Sequence, residues 1–476
     1  LGLVRDRLLA GAFGASTLLD SFLLAFALPN LLRNLFGEGA LSAAFVPRYV
    51  HLREQDPEQA ENFAGLVLTR LCALLGLLAA LGMLAAAALA WWGVGDWRLV
   101  AALALPQLPY LIFICVAAVM AGALNGRRHF AVPAAAPVLL NLVLIALVLW
   151  RPDIRLLPYG VLAAGILQAG LHVVALARTG GMPRARWRSS PALVDLRAAL
   201  LPTLVASSIY QVNALLDSVI AFALIADAGA VTVLYCGNRL LQFPMALIAH
   251  GTGTALYPEL ASAAGQGYAA TGAVLRRGSG MLLVLLLPAA VGLALVAGPL
   301  VDSLYRTGSF GAEAAARTTL VTIIYAGALL PISFNKLLVR VFHAHRDQRT
   351  PMHVAVFGVG LNLILNLILV QTPLREAGLA LATGLSAVVL SVIYGVLLWR
   401  RGMGPVLQVV SLPAPLVATA VMVLVVWAVL WVLASQTAPV QLLAAVASGA
   451  LVYGLFMHRR LWRGRERAVN RADSDN

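Results

Sequence analysis

Long runs of Leu, Ala and Val recur along the whole chain, each closed by a short polar or basic connection. The complete runs fall at 16–47, 64–92, 99–124, 133–150, 156–177, 198–224, 229–256, 278–301, 314–340, 351–371, 376–399, 411–434 and 438–457, and a partial run, 1–14, opens the chain. Each complete run is near or above the ~20 apolar residues that a helix needs to cross hydrocarbon. The runs lack the period-2 alternation of barrel strands, so they predict helices. The fold class is therefore all-α: a polytopic membrane protein with about 14 transmembrane helices, the first truncated. The 133–150 run is marginal in length, and 16–47 is long enough to be tilted or broken.

Composition strengthens this picture. Of 476 residues, 61% are hydrophobic and only 11% charged. A soluble chain of this length needs a polar surface that these residues cannot make. The chain opens at Leu1-Gly2-Leu3 and reaches charge by Arg5, without the basic-then-apolar order of a signal peptide. We read it as lacking the first part of helix one.

The connections carry the orientation. One alternating set, together with the tail, holds 22 arginines, from Arg48 and Arg53 to Arg471. The other set holds 6: Arg98, Arg151, Arg155, Arg306, Arg317 and Arg375. This asymmetry predicts that the first set and both ends of the intact chain are cytoplasmic. It also explains the net charge of +14 without nucleic acid, because the arginines alternate with spans and share no single folded surface. The tail from His458 to Asn476 is basic and polar, and we expect it to be disordered near anionic lipid.

Charges inside the apolar runs are the strongest functional signal. Arg5, Asp6, Asp20, Arg33, Glu38 and Arg239 lie within or beside them. A charge in hydrocarbon is costly, so such residues face a protein-lined, wet cavity. Several cations at one cavity predict an anionic substrate. Asn30 and Arg33, three apart behind Pro29, share a helical face, and the arginine fork suits phosphate oxygens. A structural pairing of Arg33 with Glu38 or Asp20 competes with that reading. Neighbours Arg5 and Asp6 do not share one face, so a local ion pair is not assured. Arg239 has Asn238 and Gln242 beside it as supporting groups. Asp217 is a further intramembrane acid, readable as an ion site, an ion-pair partner or an end-of-helix residue.

A weak repeat runs through the chain at an offset of about 210–220 residues. Leu28-Pro29 and Phe45-Val46-Pro47 correspond to Phe243-Pro244 and Leu256-Tyr257-Pro258. Basic turns precede Pro133, in a helix holding Asn141, and Pro351, in a helix holding Asn362 and Asn366. The expected organisation is an N-terminal lobe, 1–180, of helices 1–6 and a C-terminal lobe, 198–401, of helices 7–12. Two further helices at 411–457 and a basic cytoplasmic tail at 458–476 complete it.

Other chemistries find no foothold. There is no P-loop, no H-E-x-x-H pair and no G-x-S-x-G elbow. Cys72, Cys115 and Cys236 lie in apolar runs without a CxxC spacing, and His343, His345 and His353 sit in an arginine-rich connection. We expect no metal, no cofactor and no catalytic residue.

At these residues the chain resembles the MurJ/MviN family of lipid II flippases, within the MOP exporter superfamily. The resemblance runs from Leu1 to the last helix. Its densest block is Gly2-Leu3-Val4-Arg5-Asp6, Phe13-Gly14-Ala15, Asp20 and Leu28-Pro29-Asn30-Leu31-Leu32-Arg33, then Phe36, Glu38-Gly39-Ala40 and Ala44-Phe45-Val46-Pro47. Arg239 and Thr350-Pro351 match as well. The resemblance implies two lobes around a central cationic cavity, with Arg5, Asp6, Arg33 and Arg239 lining it and Asp20 as a functional acid. It implies that the last two helices help form a groove for the polyprenyl tail. The implied partner is lipid II, alongside membrane lipids and cell-wall synthesis proteins, in a bacterial inner membrane. The chain departs from the family pattern at Ala27, where relatives often carry Lys, at His343 and His345, and at Asn238 and Gln242, where relatives carry acids.

The reading is a transporter that moves lipid II from the inner to the outer leaflet by alternating access. The alternatives are an exporter of another polyprenyl-linked oligosaccharide or a non-transporting scaffold of cell-wall assembly. A drug exporter would favour an acid-dominated cavity, and Arg5, Arg33 and Arg239 point the other way.

Overall fold

The computed structural model describes residues 1–37, 40–187, 196, 211–406 and 413–474. Every regular element among them is a helix. In chain order these are α1 (Gly2–Phe13), α2 (Thr17–Gly37), α3 (Ala40–Gln55), α4 (Pro57–Trp92), α5 (Trp97–Ala104), α6 (Tyr110–Gly126), α7 (Ala131–Trp150) and α8 (Leu157–Arg178). Then come α9 (Gln211–Leu224), α10 (Ala230–Pro244), α11 (Gly251–Ala264), α12 (Tyr268–Leu304), α13 (Ala312–Ala344), α14 (Arg349–Leu369), α15 (Glu376–Leu398), α16 (Pro413–Val432) and α17 (Ala438–Ser474). Among the described residues ten helical spans are long and apolar enough to cross a membrane, and α6 and α9 are shorter apolar helices. The chain is a multi-pass membrane protein. Tryptophans mark several helix ends, with Trp91, Trp92, Trp150 and Trp431 all more than two-thirds exposed, as expected of interfacial anchors.

Three apolar runs are interrupted, the first of them, 16–47, as its length allowed. The 16–47 run becomes α2 and α3, and Glu38 and Gly39 lie outside the described residues. The 99–124 run becomes α5, a tight turn and α6. Pro106 and Pro109 lack the N–H that would continue the helical ladder, and Gln107 and Leu108 both donate to Ala104 O instead. The 229–256 run becomes α10, a π-helical turn at Met245–His250 and α11. The tail also departs from expectation. Instead of disorder, α17 continues as helix to Ser474. Its Arg, Glu, Ala and Leu are good helix formers, which outweighs the low hydropathy.

The described chain forms two compact units, Leu1–Thr232 with Thr307–Phe310, and Val233–Arg306 with Gly311–Asn476. Within the first, α6 packs on α3, α4 and α8, and α8 packs on α7. Within the second, α13 packs on α11, α12 and α15, and α15 packs on α14. Hydrophobic burial gives little drive between helices already in lipid, so close packing has to hold them. In the first unit Gly122 and Gly126 of α6 are the sockets for Phe45 and Tyr49 of α3. An added Cβ at either would stand 2.7 Å from the ring. Phe45 also stacks between Tyr49 and Phe63. In the second unit Val296, Met422, Val426 and Ala445 join α12, α16 and α17, and Tyr453 donates its hydroxyl to Val284 O.

The repeat is visible in the way two helices end. Arg128 (φ 63°) after α6 and Arg346 (φ 59°) after α13 both adopt the left-handed conformation. Their positions differ by 218 (346 minus 128), inside the offset expected from sequence. Arg128 N donates to Asn125 O and His129 N to Leu124 O; Arg346 N donates to His343 O and Asp347 N to Phe342 O. These are paired Schellman caps at equivalent places.

Beside each cap an arginine ties several helices together. In the first unit Arg127, 8% exposed, donates to Tyr49 Oη, Thr179 Oγ1, the carbonyls of Leu176, Gly180 and Gly181, and Glu61 Oε1 at 2.5 Å. In the second, Arg401 lies over the Phe342 ring and donates to Asp347 Oδ2 at 2.7 Å and to Thr350 Oγ1. Burial opposes ionisation of Asp347. Hydrogen bonds from Thr350 and Arg401 outweigh it and hold the carboxyl at about 2.

Candidate functional site

In α1 the adjacent Arg5 and Asp6 do form an ion pair, at 2.6 Å, with Asp6 2% exposed. Helical spacing alone left that pair unassured. The long arginine side chain folds back so that both Nε and Nη2 reach Asp6 Oδ1. Such a pair fixes the guanidinium on the wall of the helix while keeping a buried carboxylate satisfied.

Arg33 lies one turn beyond Pro29 in α2. Its Nε and Nη2 donate to Asn30 Oδ1 at 3.2 and 3.1 Å, and Nη2 also donates to Asn34 Oδ1 at 2.7 Å. Asn34 in turn donates to Gln211 Oε1 of α9 at 3.3 Å. The three-residue spacing of Asn30 and Arg33 therefore does the work expected of it. The expected competitor, Glu38, lies outside the described residues.

Asp20 does not brace Arg33. Its Oδ1 accepts from Thr232 N at 2.7 Å and Thr232 Oγ1 at 2.6 Å, and the carboxylate is 4% exposed. Thr232 belongs to the first turn of α10, where backbone N–H groups have no helical acceptor. A carboxylate there satisfies an orphan donor and complements the positive end of the helix dipole. The corner is tight on every side. Ser309 N donates to Gly11 O, and Gly14 (φ 65°) lets Ser309 O approach where a Cβ would stand only 2.6 Å away. Replacing Asp20 by Ala should cost about 1–3 kcal/mol, the scale of a lost cap with a buried donor left unpaired. Asp20→Asn keeps an acceptor and should retain most of that stability. Thermal unfolding of the purified variants checks this; equal losses for Ala and Asn would show that the charge, not the cap, is what Asp20 supplies.

In the second unit Arg239 stands on α10. Its Nη1 donates to Gln242 Oε1 at 3.3 Å, and Gln242 Nε2 donates to Asn238 Oδ1 at 2.6 Å. Elsewhere in this unit Lys336 of α13 reaches Met245 Sδ at 3.4 Å. On α14 Asn366 donates to Asn362 Oδ1, and Asn362 leans toward Thr383 of α15. Asp217, in α9 of the first unit, is buried at 9% exposure. No group of three or more His, Cys, Asp or Glu side chains among the described residues could hold a metal. His345 instead stacks on Tyr268 and shares a hydrogen bond with Thr271 Oγ1.

Each unit thus carries a half-buried arginine whose guanidinium is oriented by amide oxygens. That arrangement suits an anion with several oxygens. Sequence reasoning found the arginines but missed Asn34, Gln211 and Thr232. The one signal was Asn34, adjacent to Arg33. Gln211 and Thr232 act across 177 and 212 residues of chain, which periodicity does not register.

The model of the family described as "Lipid II flippase MurJ" matches residues 9–448. A "Probable lipid II flippase MurJ" of Rhizobium tropici is 31% identical, over 95% of this chain and 83% of that protein. A "Lipid II flippase MurJ" of Burkholderia cenocepacia is 31% identical, over 84% of this chain and 81% of its own length. Among solved structures, "Lipid II flippase MurJ, inward closed conformation" superposes with a TM-score of 0.80 at 24% identity, covering 97% of this chain and 96% of that one. An inward-facing multidrug MATE transporter of the MOP superfamily gives 0.68 at 16% identity, over 84% of this chain and 93% of the other. These two likenesses show a shared fold.

Proposed function

Because the chain belongs to the MurJ family of lipid II flippases, we propose that it carries lipid II from the inner to the outer leaflet of the bacterial cytoplasmic membrane by alternating access, with no covalent step. The observation that carries this reading is the pair of half-buried arginines, Arg33 and Arg239, one in each unit and each held in a set orientation by amides. A membrane anchor or scaffold has no use for half-buried, oriented cations. A carrier of a polyprenyl diphosphate does, because a diphosphate dragged bare through hydrocarbon loses its hydration at large cost.

In this reading Arg5, Arg33 and Arg239 take the place of water around the diphosphate, with Asn30, Asn238 and Gln242 as supporting groups. Asp6 holds Arg5, and Asp20 holds the start of the helix that bears Arg239. The polyprenyl tail stays in lipid throughout. The repeat-based lobes 1–180 and 198–401 move, and the helices of 411–457 accompany the second. A potential negative inside favours outward passage of the anion by about 2.3 kcal/mol per charge per 100 mV.

The orientation follows the 22-to-6 arginine asymmetry and places both ends of the intact chain in the cytoplasm. A cysteine introduced at Arg178 should resist an impermeant thiol reagent in intact cells, and one introduced at Arg155 should react. The reverse pattern would invert the topology. The functional reading itself is tested by whether the full-length gene sustains a Gram-negative strain depleted of its own flippase. Failure despite correct membrane insertion would remove it.

A further inference from the structure

Arg33 and Arg239 lie in different units, yet each is held by the same sequence of groups. Arg33 Nη2 donates to Asn34 Oδ1, and Asn34 Nδ2 donates to Gln211 Oε1. Arg239 Nη1 donates to Gln242 Oε1, and Gln242 Nε2 donates to Asn238 Oδ1. The direction of both relays is fixed at the arginine end. A guanidinium only donates, so the amide oxygen must face it and the amide nitrogen must point away. We infer that Asn34 and Gln242 are positioning residues for Arg33 and Arg239, each the middle member of a guanidinium–amide–amide relay that ends on Gln211 or Asn238.

The inference deepens the proposed function and rests on its assignment of both arginines to the diphosphate. A primary amide is suited to the middle position because it accepts and donates at once. Its oxygen sets the direction of the fork while its nitrogen carries the chain on to the next amide.

Helix geometry explains part of the second relay, since residues three and four apart on one helix are neighbours. It does not explain the first, which joins α2 to α9 across 177 residues. The first relay also gives Gln211, at the start of the described part of α9, a part in orienting Arg33 that nothing in its sequence neighbourhood marks.

The test uses the full chain purified in nanodiscs, with undecaprenyl diphosphate as the binding probe and lipid II as the transported substrate. Asn34→Leu and Gln242→Met remove the oxygen that faces each arginine without adding charge, and are made singly and together. Each should raise the Kd for the probe and the transport KM by about tenfold, the scale of one charge-assisted hydrogen bond. The maximal rate should stay within about twofold, and thermal unfolding should stay near wild type, which a merely structural role would not produce. If these variants fold poorly, Gln211→Met cuts the first relay at its far end and should give a smaller rise in Kd in the same direction. Unchanged Kd in the combined variant, or in Gln211→Met, overturns the inference if Arg33→Ala and Arg239→Ala still abolish binding. If those arginine variants bind the probe normally, the assignment of the arginines to the diphosphate fails instead.

Discussion

Arg33→Ala should abolish flipping while leaving insertion into the membrane largely intact. The side chain is held from Asn30 and Asn34 by three hydrogen bonds, so its fork is set before substrate arrives. A planar fork can take two phosphate oxygens at once, whereas an ammonium is a point charge on a flexible stem. Arg33→Lys should therefore rescue only part of the activity. The measurement is appearance of the precursor in the outer leaflet at matched protein levels. Full activity in the Lys variant would mean that charge alone suffices, and normal transport by the Ala variant would remove Arg33 from the mechanism.

Arg127→Ala should produce the largest loss of stability, about 3–5 kcal/mol, the usual cost of removing one partner from a buried pair. Glu61 and Tyr49 would lose their cation, and the end of α8 would lose its tie to α6. Arg127→Lys should recover little, because three donors on one atom cannot reach acceptors spread over α3, α4 and the α8 terminus. Expression and thermal unfolding of the detergent-solubilised variants check this. A wild-type unfolding temperature for Arg127→Ala would mean that the cluster forms without contributing.

The comparison of these two arginines shows what the sequence can reveal. Arg33 stands out because a cation within an apolar run is expensive and needs a reason. Arg127 sits in an Arg-Arg turn and reads as one more topological charge, because nothing local distinguishes an arginine that snorkels to water from one that is buried by distant carbonyls. The same limit explains the broken runs. Hydropathy reports the residue types that a segment offers to lipid, and Pro106-Gln107-Leu108-Pro109 is apolar enough to pass while its backbone cannot stay helical. The Phe13-Gly14-Ala15 block was legible as part of a family pattern, but its reason appears only in space, where Gly14 makes room for Ser309. Asp20 shows the same division. Its burial cost marked it as functional, while the group that repays that cost, Thr232, lies 212 residues away.

The central claim is that this chain moves lipid II and that its oriented arginines do so. The most direct test places the purified full-length protein in vesicles with labelled lipid II and follows access of the headgroup to an impermeant reagent on the opposite side. The account predicts that wild-type protein exposes the headgroup faster than protein-free vesicles do, that a potential favouring outward movement of anions speeds this, and that Arg33→Ala and Arg239→Ala remain at the protein-free rate. Equal rates for wild type and both arginine variants would contradict it.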